Sequence, residues 1–263
     1  MLIAGLVLIV VAVGAAFYAR HERGKARTAT ATETLSCGDV ATLSKGVADE
    51  VGGGSFSQRC EAVGRAQPGP QGLVDAPESK VDAVWVRTKV THKYWEMVTT
   101  TRDGKSHRTR QEREDVVSDN SSIAPFALSD DSGTVVIHPD GAEIDRPERV
   151  VDRFEQADRV QQDGGGFLAS LLRSTNDSGT LGFQREEWVI RPGTGLYVQG
   201  EVADRTGALV FAKPQDKGAF LVSTRSEEEI VAGSEKAAKL AGIGAVLAGV
   251  IGVVLLIAGA VTA

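Results

Sequence analysis

The β-rich part of this chain is defined by residues 81–115, VDAVWVRTKVTHKYWEMVTTTRDGKSHRTRQERED. Residues 81–101 are rich in Val, Thr, Trp and Tyr, which favour strands, and Asp103-Gly104 is typical of a tight hairpin turn. With these two residues at the turn, positions whose numbers sum to 207 face each other. Three favourable cross-strand pairs then follow: His92 with Asp115, Lys93 with Glu114 and Tyr94 with Arg113.

On either side of this hairpin, the sequence predicts a mainly β domain with about eight short strands. Ser36 is the predicted cap of a helix that ends near Val51, before three glycines, and a second short helix is predicted around Glu148–Gln156. Residues 161–180 are rich in Gly and Ser, and their apolar side chains are interpreted as a short core-facing turn in preference to a contact with the bilayer surface: Phe167, Leu168, Leu171 and Leu172. The other predicted strands are Gln58–Arg65, Ile123–Leu128, Thr134–His138, Glu187–Arg191, Gly195–Val202, Ala208–Ala212 and Phe220–Thr224.

Both ends of the chain are apolar, and every Lys, Arg, Asp and Glu lies between Arg20 and Lys239. As helices, residues 1–19 would extend about 28 Å and residues 241–263 about 34 Å, close to the thickness of a bilayer's hydrocarbon core. A cleaved secretory signal is the alternative for the first segment. It is disfavoured because no Lys or Arg precedes the apolar run and no small-residue cleavage site follows it. We therefore expect two transmembrane helices.

The second apolar segment continues a helix that begins in the soluble region. Ser226-Glu227-Glu228-Glu229 is a capping-box pattern, so residues 225–240 should lead directly into the membrane. Small residues recur four apart along this helix and on the first one, a spacing that lets helix backbones approach closely. They lie at Ala241, Ala245 and Gly249, at Gly244, Ala248 and Gly252, and at Ala12 and Ala16. Pairing within one chain, homo-oligomerisation through the second helix, and a mere abundance of small residues all remain open.

Basic residues flank the inner side of both apolar segments: Arg20, Arg23, Lys25 and Arg27 after the first, and Arg225, Lys236 and Lys239 before the second. By the positive-inside rule, the central domain faces the cytoplasm and both termini face outward. Cys37 and Cys60 should then be reduced thiols, whereas a disulfide between them would argue for the opposite side.

Composition and motifs exclude several classes of protein. With 29 Lys+Arg and 35 Asp+Glu, the net charge is −6, which argues against a nucleic-acid partner. Two cysteines and four histidines without zinc-ligand spacing predict neither a disulfide scaffold nor a metal site. Gly104-Lys105-Ser106 is not the end of a phosphate loop, because Thr99 stands where that loop needs glycine. Carboxylates scattered on strands are interpreted as a solvated face. We assign no catalytic, cofactor-binding or metal-binding residue, and no cofactor.

Short blocks run through the chain in a characteristic order: Val86-Arg87-Thr88, Tyr94-Trp95-Glu96, Ala124-Pro125-Phe126-Ala127-Leu128, Asp131-x-Gly133, Val135-x-Ile137, Glu148-x-Val150-x-x-Arg153-Phe154, Glu186-Glu187-Trp188-Val189-Ile190, Gly200-Glu201-Val202 and Leu221-Val222-Ser223-Thr224. With the apolar segments that bracket them, these blocks make residues 35–260 resemble the GIDE family. Its eukaryotic members are RING-type E3 ubiquitin ligases anchored in mitochondria or plastids (mitochondria-anchored protein ligase), and their middle region is called the BAM, or besides-a-membrane, domain.

The resemblance implies a prokaryote-like relative without the RING. In the ligases, a RING domain with eight Cys or His zinc ligands follows the second membrane helix, and the six such residues of this chain are too few to supply them. In the mitochondrial members the equivalent domain faces the intermembrane space, so the resemblance leaves the opposite orientation open.

The expected fold is an α+β membrane protein, a mainly β central domain bracketed by two transmembrane helices. Its segments are a transmembrane helix (1–19), a basic juxtamembrane linker (20–34), a GIDE/BAM-like domain (35–224), a helix leading to the membrane (225–240) and a second transmembrane helix (241–263). The expected function is that of a membrane-anchored, non-catalytic binding or scaffold protein. Its expected partners are the lipid bilayer and an unidentified protein or lipid. The alternatives are an E3 ubiquitin transferase, by resemblance alone, and a structural membrane oligomer.

Overall fold

The structure, a computed structural model, describes residues 2–31, 33–102, 105–158, 177–205, 207–216 and 218–261. Two long helices form its ends, and the strands lie between them. In chain order its elements are α1 (Leu2–Ala31), α2 (Cys37–Val51), β1 (Ser57–Gln67), β2 (Val74–Asp75), β3 (Asp82–Ala83), β4 (Trp85–Arg102), β5 (Lys105–Ser121), β6 (Phe126–Asp130), β7 (Gly133–Ile137), β8 (Glu143–Asp145), β9 (Glu148–Gln156), β10 (Ser178–Ile190), β11 (Gly195–Ala203), β12 (Val210–Ala212), β13 (Leu221–Ser223) and α3 (Glu227–Val261).

Five strands close into a small barrel at the centre of the domain. The ring runs β1, β6, β7, β12 and β11, and it closes because β11 also pairs with β1 over nine residues. All neighbours are antiparallel except β7 and β12. Large apolar side chains fill the interior, among them Phe126, Leu128, Ile137 and Phe211, each fully buried. The fold is therefore α+β with a central β-barrel.

A second, four-stranded antiparallel sheet has the order β5-β4-β10-β9 and contains the predicted hairpin. From Thr91 opposite Val116 to Arg102 opposite Lys105, every facing pair sums to 207. The three predicted pairs of His92, Lys93 and Tyr94 are therefore confirmed, although the turn residues 103–104 lie outside the described residues.

The segment Glu148–Gln156 is a strand, so the predicted helix is wrong. This strand, β9, pairs antiparallel with β10 along the edge of the four-stranded sheet. Its adjacent Val150 and Val151 are β-branched and favour extended backbone. Pairing also places its charges opposite partners, since Arg149 Nη1 lies 3.2 Å from Glu186 Oε1. A short isolated helix would make neither the backbone pairing with β10 nor the ion pair with Glu186.

The number of strands also exceeds the prediction: the described residues contain 13. Five of these, β2, β3, β8, β12 and β13, are two or three residues long, too short to show alternation. The predicted strands near β1, β6, β7, β11, β12 and β13 are all present. The turn predicted at residues 161–180 falls mostly outside the described residues.

Both predicted helix starts are confirmed by their capping geometry. Ser36 Oγ accepts a hydrogen bond from the Asp39 amide at 3.1 Å, and Asp39 accepts from the Ser36 amide in return. The same reciprocal pair, at 3.3 Å each way, joins Ser226 and Glu229 at the start of α3. Helix α2 ends at Gly52, whose φ of +95° suits a residue without a side chain.

Among the described residues, one helix is long and apolar enough to cross a membrane: α3, over the 22 residues Lys236–Ile257. The apolar segment of α1, Leu6–Arg20, is shorter, so a second span is not shown. The two helices pack along each other. Gly249 lies so close to α1 that a Cβ at this position would be 3.8 Å from Ala12 Cβ. Gly244, in contrast, has open space around it.

Candidate functional site

Among the described strands, the longest run of exposed side chains is on β5, in the outer half of the β4–β5 hairpin. We call it the hairpin arm and define it as residues 91–102 and 105–116. Every side chain of the arm on β5 is exposed, and the valine at its inner end, Val116, is 56% exposed. At about 3.4 Å per residue, these 12 residues of β5 extend about 40 Å. The β5 side of the arm is thus a long exposed surface that lies outside the barrel core.

Packing on the β4 side gives the arm its rigidity. The ring of His92 stacks between Tyr94 and Phe183, with centroids 5.1 Å from each. Burial lowers the pKa of His92, although Asp115 opposes the shift, so the ring is neutral at physiological pH. His92 is therefore a packed strand residue, as the sequence predicted. Farther out, the Arg110 guanidinium lies 4.7 Å from the Trp95 ring centroid.

Four carboxylates depart from the solvated acidic face that the sequence predicts, whereas most of those on the strands are exposed or half-buried. Glu61 and Glu187 are both fully buried, and Glu201 and Asp204 are nearly so. Glu187 accepts hydrogen bonds from the backbone amides of Glu78 and Ser79, at 2.9 and 3.0 Å, and from the Ser79 hydroxyl. No periodicity distinguishes these residues from exposed carboxylates, because burial depends on turns that are distant in sequence.

The buried carboxylates tie loops to strands. Asp204 accepts the amides of Gly54 and Phe56 at 3.0 and 2.9 Å, which fixes the glycine-rich loop after α2. Glu61 accepts a hydrogen bond from Gln199 Nε2 at 2.9 Å, across the β1–β11 pair. Because backbone and amide groups donate to both carboxylates, these contacts hold the loop and the strands in place.

Both cysteines lie in the barrel core as free thiols. Burial raises the pKa of Cys37 to about 11, helped by the neighbouring Asp130. Burial, with Glu61 next in importance, raises the pKa of Cys60 to about 12. A neutral buried thiol is a poor nucleophile. In the part of the chain that the structure describes, no three His, Cys, Asp or Glu side chains form a metal site.

These thiols should make the fold sensitive to alkali. The ordinary thiol pKa is 9.0, so above that pH the unfolded chain releases protons that the folded chain retains. The free energy of unfolding should be unaffected by these groups below pH 9 and fall as the pH rises toward 11.

We expect maleimide to label neither thiol at pH 7 in the folded protein and both in urea, as read by mass spectrometry. A Cys37→Ala/Cys60→Ala variant is the control and should lack this part of the alkaline decline. Complete labelling of the folded protein at pH 7 would contradict the burial.

The fold and surface define a class of protein: a small β-barrel domain with a projecting hairpin, joined to an apolar helix long enough to cross a membrane. Residues 96–257 match the family model GIDE, described as E3 Ubiquitin ligase. The match runs from the middle of β4 to α3 and covers more than half of the chain. The chain belongs to the GIDE family, which confirms the resemblance seen in the sequence. No curated protein and no solved structure matches it.

Proposed function

We propose that this chain is a membrane-anchored binding or scaffold protein whose hairpin arm contacts a partner protein. The observation that supports this most directly is the arm itself, with 12 consecutive exposed side chains on β5. Fixed, exposed strands of this kind bind partners by adding a strand to the sheet.

The connection between the domain and α3 is short and well fixed, which supports a role close to the bilayer. Only three residues separate β13 from α3. Of these three, Arg225 donates from Nε to Asp145 Oδ2 at 2.7 Å. Ser223, the last residue of β13, donates from Oγ to the same oxygen at 2.8 Å. From Glu227, nine residues of helix rise about 14 Å before the apolar segment begins. The domain would therefore sit just above the lipid headgroups.

The packing of α1 against α3 supports a second anchor beside the first. In this arrangement both helices enter the bilayer and both termini lie on its outer side. The basic residues next to each helix favour a cytoplasmic domain. Sodium carbonate washing of vesicles tests the anchoring: the full-length chain should remain in the pellet, and its release would contradict it.

Site-specific photo-crosslinking in intact membranes tests the binding role. A photoreactive amino acid at Gln111, on the arm, should give a reproducible adduct with a protein that mass spectrometry can identify. The matched control is Lys45, which is exposed on α2 in the same domain. If adducts from Gln111 do not exceed those from Lys45, the arm is not a binding surface.

The family description favours a second candidate, an E3 ubiquitin transferase. A ubiquitin thioester on this chain would require Cys37 or Cys60, and both are buried in the barrel core. An assay with the purified chain, E1, E2 and ubiquitin distinguishes the two candidates. Ubiquitin chains that depend on this polypeptide would establish the enzyme, whereas the binding role predicts none.

A further inference from the structure

The outer edge of β5 is open. On its inner edge β5 pairs with β4 along its length, and among the described residues no strand pairs with the other edge. Every second residue of β5 therefore directs its backbone N–H and C=O outward. Such an edge can accept another strand, and proteins usually protect it with charged residues. The charges on β5 follow a more specific pattern.

The arm portion of β5 is mainly basic toward the turn and mainly acidic toward the barrel, with Arg113 among the acidic residues. Arg108 and Arg110 precede Glu112 and Glu114 on one face, and His107 precedes Asp115 on the other. Two copies of such a strand are complementary when they lie antiparallel, because the basic part of each then faces the acidic part of its partner. The strand is thus suited to pair with itself.

Backbone geometry and charge together select one register. Two identical antiparallel strands pair residues whose numbers have a constant sum. This sum is even, because outward hydrogen-bonding groups and side-chain faces both alternate every second residue. A sum of 222 places Gln111 on the two-fold axis and gives two opposite-charge pairs, each occurring twice: Arg110 with Glu112 and Arg108 with Glu114. In the same register the His107 ring faces the Asp115 carboxylate, and Arg113 faces the uncharged Thr109.

The neighbouring registers each contain a like-charge contact. A sum of 220 places Arg110 against itself, and a sum of 224 places Glu112 against itself. Sums of 218 and 226 oppose Arg108 to Arg110 and Glu112 to Glu114. Like charges directly opposite each other are unfavourable. The register centred on Gln111 is free of them from residue 106 to residue 116.

We propose that β5 pairs with β5 of a second copy of this chain, antiparallel and centred on Gln111. The two four-stranded sheets then form one eight-stranded sheet across the dimer. This proposal rests on the binding role of the arm and identifies its partner. An adduct at Gln111 with a different protein would leave that role intact and overturn the dimer.

Cysteine crosslinking in native membranes tests the register. A Gln111→Cys variant should form a disulfide-linked dimer under mild oxidation, since residues directly opposite have Cβ atoms about 5 Å apart. Thr109→Cys and Arg113→Cys are the controls: each alone should give at most a tenth of that yield. Each position is two residues from the axis, so the two copies of it are offset by four residues, about 14 Å. Coexpressed, these two variants should crosslink to each other. A yield at Gln111→Cys no greater than at the controls overturns the proposal.

A charge swap tests the pairing without new thiols. Arg110→Glu turns both 110–112 contacts into like-charge contacts and should raise the dimer dissociation constant about tenfold in detergent. Adding Glu112→Arg to this variant should return the dissociation constant to its original value, because the 110–112 contacts again join opposite charges. Lys105→Glu makes the same charge change on β5, but its partner in this register is the uncharged Val117, and it should have less than a threefold effect. If Arg110→Glu leaves dimerisation unchanged, or the double variant stays as weak as the single one, the proposal is wrong.

Discussion

Cysteines at positions 12 and 249 should form a disulfide within a single chain in nearly all molecules under mild oxidation. A Cβ at Gly249 lies 3.8 Å from Ala12 Cβ, and this matches the mean Cβ separation in protein disulfides. The two native cysteines do not compete, because both are buried in the barrel. The measurement is the mobility of the intact protein on a non-reducing gel, followed by mass spectrometry of the linked peptides.

The matched control is Ala12→Cys with Gly244→Cys. Gly244 lies on the same helix, but a Cβ there contacts nothing within 4 Å. This pair should stay reduced, or form only links between chains. Equal yields from the two pairs, or linked dimers from the first, would contradict packing of α1 against α3 within one chain. In that case the small residues of α3 would be available for the homo-oligomer that the sequence left open.

The sequence predicted the hairpin well because its register depends on local information. Asp103-Gly104 specifies the turn, and with the turn fixed, the period of two along each strand fixes every facing pair up to Thr91 and Val116. The bulge beyond Val90, where the register shifts, could not be predicted. Helix caps were predictable for the same local reason.

Prediction failed where long-range pairing decides the structure. The segment Glu148–Gln156 has helix-compatible charges, but it becomes a strand because β10 offers an open edge and complementary side chains. Glu186 and Glu187 are adjacent glutamates with opposite surroundings: the first forms an ion pair with a half-exposed arginine, and the second is fully buried. The turn at Glu78 and Ser79, over 100 residues away in sequence, donates hydrogen bonds to Glu187.

The candidate surface was hidden from the sequence for a related reason. The charges of β5 were interpreted through their partners on β4, where Glu114 faces Lys93 and Asp115 faces His92. The same side chains are exposed toward the other edge, and only the sheet order shows that this edge is unoccupied among the described residues. A strand that is complementary to itself therefore appears only after the fold is known.

Replacing Glu187 with alanine should lower the free energy of unfolding by about 3 kcal/mol, since the change removes a fully buried carboxylate and leaves three donors of a half-buried turn without an acceptor. The carboxylate accepts from two backbone amides and one hydroxyl of residues 78–79, so its loss should release the turn that covers this end of β10. Glu187→Gln retains one acceptor oxygen, so its free energy of unfolding should fall by about half as much. The measurement is urea unfolding of the full-length chain in detergent, followed by tryptophan fluorescence.

Glu186→Ala is the matched control, one residue away on the opposite face of β10. It removes an ion pair with Arg149, whose side chain is 49% exposed, and such pairs contribute less than about 1 kcal/mol. If the two alanine variants unfold at the same urea concentration, the hydrogen bonds to the turn add nothing to stability. A selective loss in Glu187→Ala, with dimer crosslinking at Gln111→Cys retained, would assign this carboxylate to the fold and separate it from the binding surface of the arm. The family resemblance alone could not make this distinction, because both residues lie within the matched segment.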